Sequence, residues 1–340
     1  MAGIPLSNTV INAAFDITYD CNLRCIHCFN SSGEQEYDKP MLSDDEIFRI
    51  SSEIAEIKSL QQICFCGGEP LLKKDVLFKS ADYLHRQTNS MMVNFVTNAF
   101  LMDDNIIADI KKSRIYMVQV SLDGYSENVH NWIRNHPQSY ERAISAIKLL
   151  IGNDIKVSVA TLPTKRNFQE LSELIGLLDD LGVSDFRMQP LMILGRAKSN
   201  LDEYELSNAE YRTLARKLLK LRNERLFSNK MKIEWGDPIQ HLGNFCGNNL
   251  VFLYINAYGE IMLSPYLPIV VGDLRKHSLR DYFASGLKDI WKEQFFIDIA
   301  KQIMSCGSMD LSERGIAPEI FTSSRYIYDI CESESIGSGR

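Results

Sequence analysis

The chain reads as an α/β protein, a partial (β/α)6 TIM-like barrel with a smaller C-terminal α+β extension. Three observations lead there. Over the first two thirds, strand-like and helix-like patterns alternate, as in β/α units around a parallel sheet. Polar and glycine-containing residues gather where the expected strands end, the edge at which such sheets and barrels bind ligands. After Pro190 the alternation stops, and short strands separated by turns take over.

The apolar run at 10–19 gives the first strand, and a cysteine-rich loop follows it. Ser43-Asp-Asp-Glu46 is a capping box that opens an amphipathic helix through about Ser59. Residues 61–66 form the second strand and run into Gly67-Gly68-Glu69-Pro70. A helix over 73–88 leads to a third strand at 91–97, which ends at Asn98. The fourth strand, 115–122, ends at Asp123-Gly124. Strands at 155–161 and 184–190 follow, with helices near 139–151 and 167–181 between them. Six such units are too few for the closed eightfold barrel. The segment Ser31–Met41 is expected to be a flexible loop.

Beyond 200 a charged helical stretch at 203–226 bridges to short strands at 231–235, 250–256 and 260–264, and 278–305 is mostly helical. The expected division is 1–200 for the barrel, 201–230 for the bridge, 231–331 for the C-terminal region and 332–340 for a polar, disordered tail. No internal repeat is found at solenoid periods.

The bulk numbers bound the function. With 340 residues the chain can bury a large core, and 45% hydrophobic with 24% charged residues is ordinary for a soluble globular protein. A net charge of −7 argues against broad binding along a nucleic-acid backbone. No apolar run approaches membrane-spanning length and no signal peptide is indicated. Eight cysteines are too sparse for a disulfide scaffold and cluster like ligands in a reducing compartment, so a cytoplasmic location is expected, with no nucleic-acid or membrane partner.

The strongest chemical signal is Cys21-Asn-Leu-Arg-Cys25-Ile-His-Cys28-Phe29. Three thiolates are one fewer than the usual all-cysteine iron–sulfur cluster takes, so a [4Fe–4S] cluster held here keeps one iron open for a small ligand. The bland alternative is an exposed zinc or redox loop. His27, within the run, is expected at the surface rather than as a ligand. Gly67 and Gly68 lack Cβ atoms and let backbone carbonyls approach a ligand closely. Asn98, Ser121 and Asp123 bring amide, hydroxyl and carboxylate groups to neighbouring strand ends. Cys64 and Cys66, on one face of the second strand, are taken as small buried hydrophobes.

The cysteine run followed by Gly67-Gly68-Glu69-Pro70 resembles the radical S-adenosylmethionine (SAM) superfamily. The resemblance implies that Cys21, Cys25 and Cys28 hold a [4Fe–4S] cluster whose open iron takes the amino and carboxylate groups of SAM. It implies reductive cleavage of SAM to a 5′-deoxyadenosyl radical. It places Phe29 beside cluster and adenine, and the segment Gly67, Gly68, Glu69 and Pro70 around the methionyl amine. Asn98, Ser121 and Asp123 then position SAM, and Arg134, eleven residues past Asp123, suits its carboxylate. Leu191, before Gly195-Arg196-Ala197, resembles the adenine-facing position, and Thr161 is a weaker assignment of the same kind.

From Cys246 the chain is similar to the SPASM or twitch extension of radical SAM maturases, which runs cysteine, about a dozen residues, glycine, four residues, cysteine. Cys246 and Gly259 stand in register, whereas Ser264 occupies the second cysteine position, and only Cys306 and Cys331 remain downstream. Either these cysteines hold an auxiliary cluster, or the region has kept its fold and lost the cluster. The second reading is adopted, and it makes Cys246 a candidate catalytic hydrogen-atom donor.

The resemblance implies modification of a ribosomally made peptide by crosslinking or epimerisation, with an external flavodoxin- or ferredoxin-type reductant. About twenty residues precede Cys21, so no leader-recognition domain is expected there, and a peptide would need a separate recognition protein or direct docking. The alternatives are a carbohydrate or aminoglycoside epimerase or dehydrogenase and, from another class, a non-catalytic iron–sulfur module.

Overall fold

The computed structural model describes residues 9–35, 37–88, 90–224, 231–236, 238–306 and 326–332. The expected tail beyond Glu332 and the side chain of Cys306 lie outside the described residues. Helices and strands alternate as β1 (Asn12–Thr18), α1 (Asp44–Ile54), β2 (Gln62–Gly67), α2 (Lys74–Gln87), β3 (Met92–Thr97) and α3 (Asp104–Ser113). The alternation continues with β4 (Met117–Ser121), α4 (Glu127–Arg134), α5 (Ser139–Gly152), β5 (Lys156–Thr161), α6 (Leu171–Leu181) and β6 (Asp185–Met188). Next come α7 (Arg196–Asn200), α8 (Asn208–Glu224), β7 (Lys232–Trp235) and α9 (Pro238–Phe245). The rest comprises β8 (Phe252–Ile255), β9 (Glu260–Ser264), β10 (Leu267–Asp273), α10 (Leu279–Ala284), α11 (Gln294–Cys306) and β11 (Tyr326–Ile327).

All described strands belong to one sheet, ordered β11-β10-β9-β8-β1-β2-β3-β4-β5-β6-β7. From β8 through β7 every neighbour is parallel, while β8–β9 and β9–β10 are antiparallel. The strand at 232–235, expected in the C-terminal region, instead extends the barrel side by pairing with β6. The C-terminal hairpin likewise continues the barrel sheet through the free edge of β1.

The sequence dictates the two faces. Phe15 and Ile17, Ile63 and Phe65, Val93 and Phe95, and Val118 and Val120 are fully buried among the outer helices. Their neighbours one residue away, such as Ala14, Cys64, Asn94 and Gln119, line a single cavity with residues of β5, β6 and β8. Seven flat strands would span about 30 Å. Lining one cavity of about 640 Å³ therefore requires the sheet to curl around it, as a partial barrel does.

Local signals fix several elements. The Ser43–Glu46 capping box forms as read, with Glu46 Oε2 accepting from Ser43 N–H at 2.8 Å. Helix α3 escaped the sequence reading although Asp103 caps it, Oδ1 accepting from Ile106 N–H at 2.8 Å. Strand β10 was also missed, since Pro268 interrupts its apolar run. Among the described residues no helix is long and apolar enough to cross a membrane.

The segment 31–41 is not a loose loop. Tyr37 stacks on Tyr258 at 3.6 Å between ring centroids, and its hydroxyl donates to Glu260 Oε2 at 2.5 Å. Lys39 pairs with Glu260 at 3.1 Å and with Asp273 at 2.8 Å. The β9–β10 hairpin thus clamps the loop that follows the cysteines.

The end of β2 is fastened to the segment leading into Cys21. Gly68 N–H donates to Thr18 O at 2.7 Å and Glu69 N–H to Asp20 O at 2.9 Å. Gly67 has φ +123°, and a Cβ there would lie 2.1 Å from Thr18 O. Gly67→Ala should therefore cost about 3 kcal/mol or more, through strain and a backbone clash. Gly152→Ala, whose Cβ meets nothing within 4 Å, should stay within about 0.5 kcal/mol of wild type. Urea unfolding of both variants checks this, and equal stabilities would refute the close-approach argument.

Candidate active site

The three thiols sit at the carboxyl ends of the strands, on the loop leaving β1, and all line the cavity. The loop is held by backbone carbonyls. Arg24 donates to Cys21 O at 2.7 Å and to Gly33 O at 2.9 Å, and Ile26 N–H reaches Ile133 O at 3.0 Å. Arg196 acts as a strap, donating from Nε to Cys25 O at 2.9 Å and from Nη1 to Ser32 O at 3.0 Å. The preceding Gly195, at φ +53°, lets this strap lie close, since a Cβ there would be 2.4 Å from Phe29 O. Gly195-Arg196 was noticed in the sequence only as a landmark.

Each sulfur has an N–H donor nearby. Asn98 Nδ2 lies 3.8 Å from Cys21 Sγ, Arg134 Nη1 3.9 Å from Cys25 Sγ and Ser32 N 3.3 Å from Cys28 Sγ. Burial pushes the Cys25 thiol up to about 11 and raises that of Cys21, with Arg134 opposing at both. These sulfurs therefore need a cationic partner to ionise. A donor set of three spaced thiols with N–H groups aimed at them fits a cluster.

Ten of the expected site residues share the cavity wall: the three cysteines, with Phe29, Gly67, Gly68, Asn98, Ser121, Asp123 and Arg134. Asp123 and Arg134 form a buried ion pair at 2.7 Å. Asp123 Oδ1 also accepts from Leu162 N–H at 3.0 Å, and its own N–H donates to His130 Nδ1 at 3.0 Å. Burial works against its carboxylate, but Arg134 and the Leu162 N–H outweigh it and hold the carboxyl below its ordinary value. Oδ1 is engaged by Leu162 N–H and Oδ2 faces the Arg134 guanidinium, so Asp123 orients Arg134 on the cavity wall.

Other expected residues lie elsewhere. Glu69 is fully buried behind the wall, accepting from Leu71 N–H at 3.1 Å, Thr97 Oγ1 at 2.9 Å and Asn98 N–H at 2.8 Å. It ties the ends of β2 and β3 together, and Pro70 opens the short helical turn behind it. The Leu191 side chain packs with Leu162, Ala197 and Leu201, while the adjacent Met192 faces the cavity. His27 lines the cavity instead of lying at the surface. Cys64 and Cys66 are not core filler: they face the cavity with their sulfurs 3.4 Å apart. Thr161 also lines the cavity, its hydroxyl donating to Leu122 O at 2.5 Å.

Cys246 does not reach the cavity. Its Sγ lies 3.9 Å from Ile297 O and packs against the main core. His241 does face the cavity, and five residues on, a helix has turned by about 140°. Cys331 lies beside Ser285, 3.4 Å from its hydroxyl, and Ser264 is buried in the β9–β10 turn.

Sequence reasoning overlooked Asp16 altogether. Its Oδ2 accepts from Tyr254 Oη at 2.6 Å, joining β1 to β8 across the cavity wall. Burial raises its pKa from 3.8 to about 6. The folded chain thus holds this proton more tightly than the unfolded one. Its contribution is greatest below pH ~4 and declines by about 3 kcal/mol as pH rises through 6. The stability of Asp16→Asn relative to wild type should therefore improve between pH 4 and 7. Chemical denaturation across that range tests it, and a constant difference would mean that Asp16 titrates normally. Cys246→Ala should cost about 1–2 kcal/mol through lost packing and leave product and solvent-deuterium incorporation unchanged, as mass spectrometry would show.

Residues 15–178 match the Radical SAM superfamily profile. The chain is 25% identical over 304 residues to the AdoMet-dependent heme synthase of Methanosarcina barkeri, covering 83% of this chain and 84% of that protein. It is 26% identical over 331 residues to the mycofactocin maturase MftC of Mycolicibacterium smegmatis, covering 91% and 78%. The fold is shared with SuiB of Streptococcus suis bound to S-adenosylmethionine, at TM-score 0.67, 14% identity, 96% of this chain and 78% of that one. It is also shared with anSMEcpe with bound AdoMet, at TM-score 0.65, 16% identity and coverage of 85% and 84%. Three thiols on the loop after the first strand, a glycine pair packed against the segment that leads into them and these likenesses together identify residues 15–178 as a radical SAM superfamily domain.

Proposed function

We propose that the enzyme opens a C–H bond on a segment of a peptide inserted into the cavity. The cofactors of the superfamily are a [4Fe–4S] cluster and SAM. When bound, they supply a hydrogen-abstracting carbon radical. Cys21, Cys25 and Cys28 hold the cluster, Arg134 directs its unpaired amino group at the SAM carboxylate, and Asn98 and Ser121 meet its polar groups. Gly67 and Gly68 expose backbone to the methionyl amine, and Phe29 lies beside the adenine. The curled sheet encloses the reacting atoms and keeps water out.

The observation that carries the peptide reading is the cavity itself. Its roughly 640 Å³ must seat SAM as well as substrate, so substrate enters as a segment rather than whole. Amide side chains of Asn12, Gln62, Asn94 and Gln119 line the wall, matching peptide N–H and C=O groups. Likeness to a maturase over 91% of the chain supports the same reading. The likeness to a heme synthase, over 84% of that protein, favours a tetrapyrrole as the second reading. A flavodoxin- or ferredoxin-type protein supplies the electron, and the peptide docks directly or is delivered by a separate leader-recognition protein.

Anaerobic reconstitution tests the chemistry. The wild type should hold about four irons at these thiols and release 5′-deoxyadenosine under dithionite. The Cys21/Cys25/Cys28→Ala variant should lose that activity entirely, and activity surviving in it would place the cluster elsewhere. Co-expression with small neighbouring reading frames should yield a mass-shifted peptide. A shift confined to added iron-coproporphyrin III would select the second reading.

A further inference from the structure

Three arginines line the cavity, and they are not equivalent. Arg134 is paired with Asp123 at 2.7 Å, and Arg196 with Glu34 at 2.6 Å. Arg187, on β6, has neither ion pair nor hydrogen bond among the described residues. Its neighbour in register on β7 is Glu234, which pairs with Lys232 instead. The sequence marks the position too, since Arg187 stands between Phe186 and Met188, both fully buried on the other face of the sheet.

A second group without a partner among the described residues shares the cavity wall. His241 on α9 lines the same cavity, and its buried Nε2 has no hydrogen-bond partner among the described residues. The ring cannot swing away, because Phe245, Phe252 and Tyr266 meet it edge-on at centroid distances of 4.3, 5.4 and 5.3 Å. Burial and then the charge of Arg187 hold this imidazole neutral, pushing it down to about 4. Neutral His241 can present Nε2–H without adding charge, and Gln189, also on the cavity wall, adds an amide beyond the end of β6.

The two ends of the cavity are electrically distinct. Cys21 and Cys25 feel Arg134, whereas Arg187 acts on Cys66 and His241. A guanidinium with no counter-ion among the described residues and an unsatisfied imidazole nitrogen on the same cavity wall suit a planar anion with two acceptor oxygens.

We propose that Arg187 and His241 form a carboxylate-binding subsite that anchors the substrate, with the Arg187 fork taking the carboxylate and His241 Nε2–H donating to one of its oxygens. The subsite deepens the peptide reading and rests on it: the anchored group is the C-terminal carboxylate of a peptide or an Asp or Glu side chain within it. Anchoring at this wall leaves the preceding residues of the substrate to extend toward the three thiols.

Binding can be tested without turnover. A randomised heptapeptide library, prepared once as free acids and once as C-terminal amides, is equilibrated with reconstituted enzyme and SAM. Retained peptides are identified by mass spectrometry, and coproporphyrin III is run beside the library as a non-peptide carboxylate. The wild type should retain carboxylate-bearing peptides at least about tenfold over neutral ones. Arg187→Met should abolish that preference, and Arg187→Lys should restore part of it. Enrichment of free acids alone identifies the C-terminus, whereas enrichment of Asp or Glu at one position in both libraries identifies a side chain. Arg187→Met should not lower the thermal midpoint, because no protein partner is lost, and a fall of several degrees would assign Arg187 a structural role instead. Retention of neutral peptides equally by wild type and variant overturns the subsite and leaves the peptide reading standing. Retention of coproporphyrin III alone, lost in Arg187→Met, keeps the subsite and overturns the peptide reading.

Discussion

The site depends on one backbone contact, the close approach of the end of β2 to the segment leaving β1. Thr18 O and Asp20 O accept from Gly68 and Glu69 N–H groups, and Gly67 and Gly68 leave no room there for a Cβ. The contact fixes where the cysteine loop starts. Behind it, Glu69 gathers donors from Leu71, Thr97 and Asn98 and so fixes the neighbouring strand end as well. Glycines that read as a ligand cradle therefore first serve the packing of one chain segment on another. The backbone exposed to a ligand is a consequence of the same omission of side chains.

Charge is distributed to match. At the thiol end, Arg134 is buried and paired with Asp123, which offsets part of the cost of holding its charge out of water near the sulfur. Arg196 spends its donors on the carbonyls of Cys25 and Ser32, shaping the loop rather than the cavity. Nitrogen donors near each sulfur stabilise thiolate character and tune a cluster's potential. The remaining wall carries several amides and aromatic rings that suit a peptide backbone, with Arg187 as its cation.

Much of this was legible in the sequence because the decisive features are local. Three cysteines in one loop, two glycines at a strand end and period-two alternation need no knowledge of distant contacts. What escaped needed tertiary context. Asp16 looked like one polar residue in a strand until Tyr254, more than two hundred residues later, supplied its donor. Leu191 and Met192 differ only in which way the chain turns after β6, which pattern alone does not fix. Cys246 seemed promising because its motif register held, but its helix phase turns the thiol into the core. Strand β7 was assigned to the wrong part of the chain since only pairing with β6 reveals its allegiance.

The hairpin after β8 also limits how modular this enzyme is. It continues the barrel sheet, clamps Tyr37 and Lys39, and lies beside the Asp16–Tyr254 bond. Exchanging the region from about residue 238 onward for that of another superfamily member would replace His241, Phe252, Tyr254 and Tyr266 together, one whole side of the cavity. Such a graft exchanges that wall while the thiol end stays intact, provided that the incoming piece brings a phenol for Asp16 and a surface for Tyr37. Compatibility between the halves is thus written in these tyrosine contacts together with the ion pairs of Lys39 and of Arg275 with Glu46, and these are positions at which a chimaera must be matched.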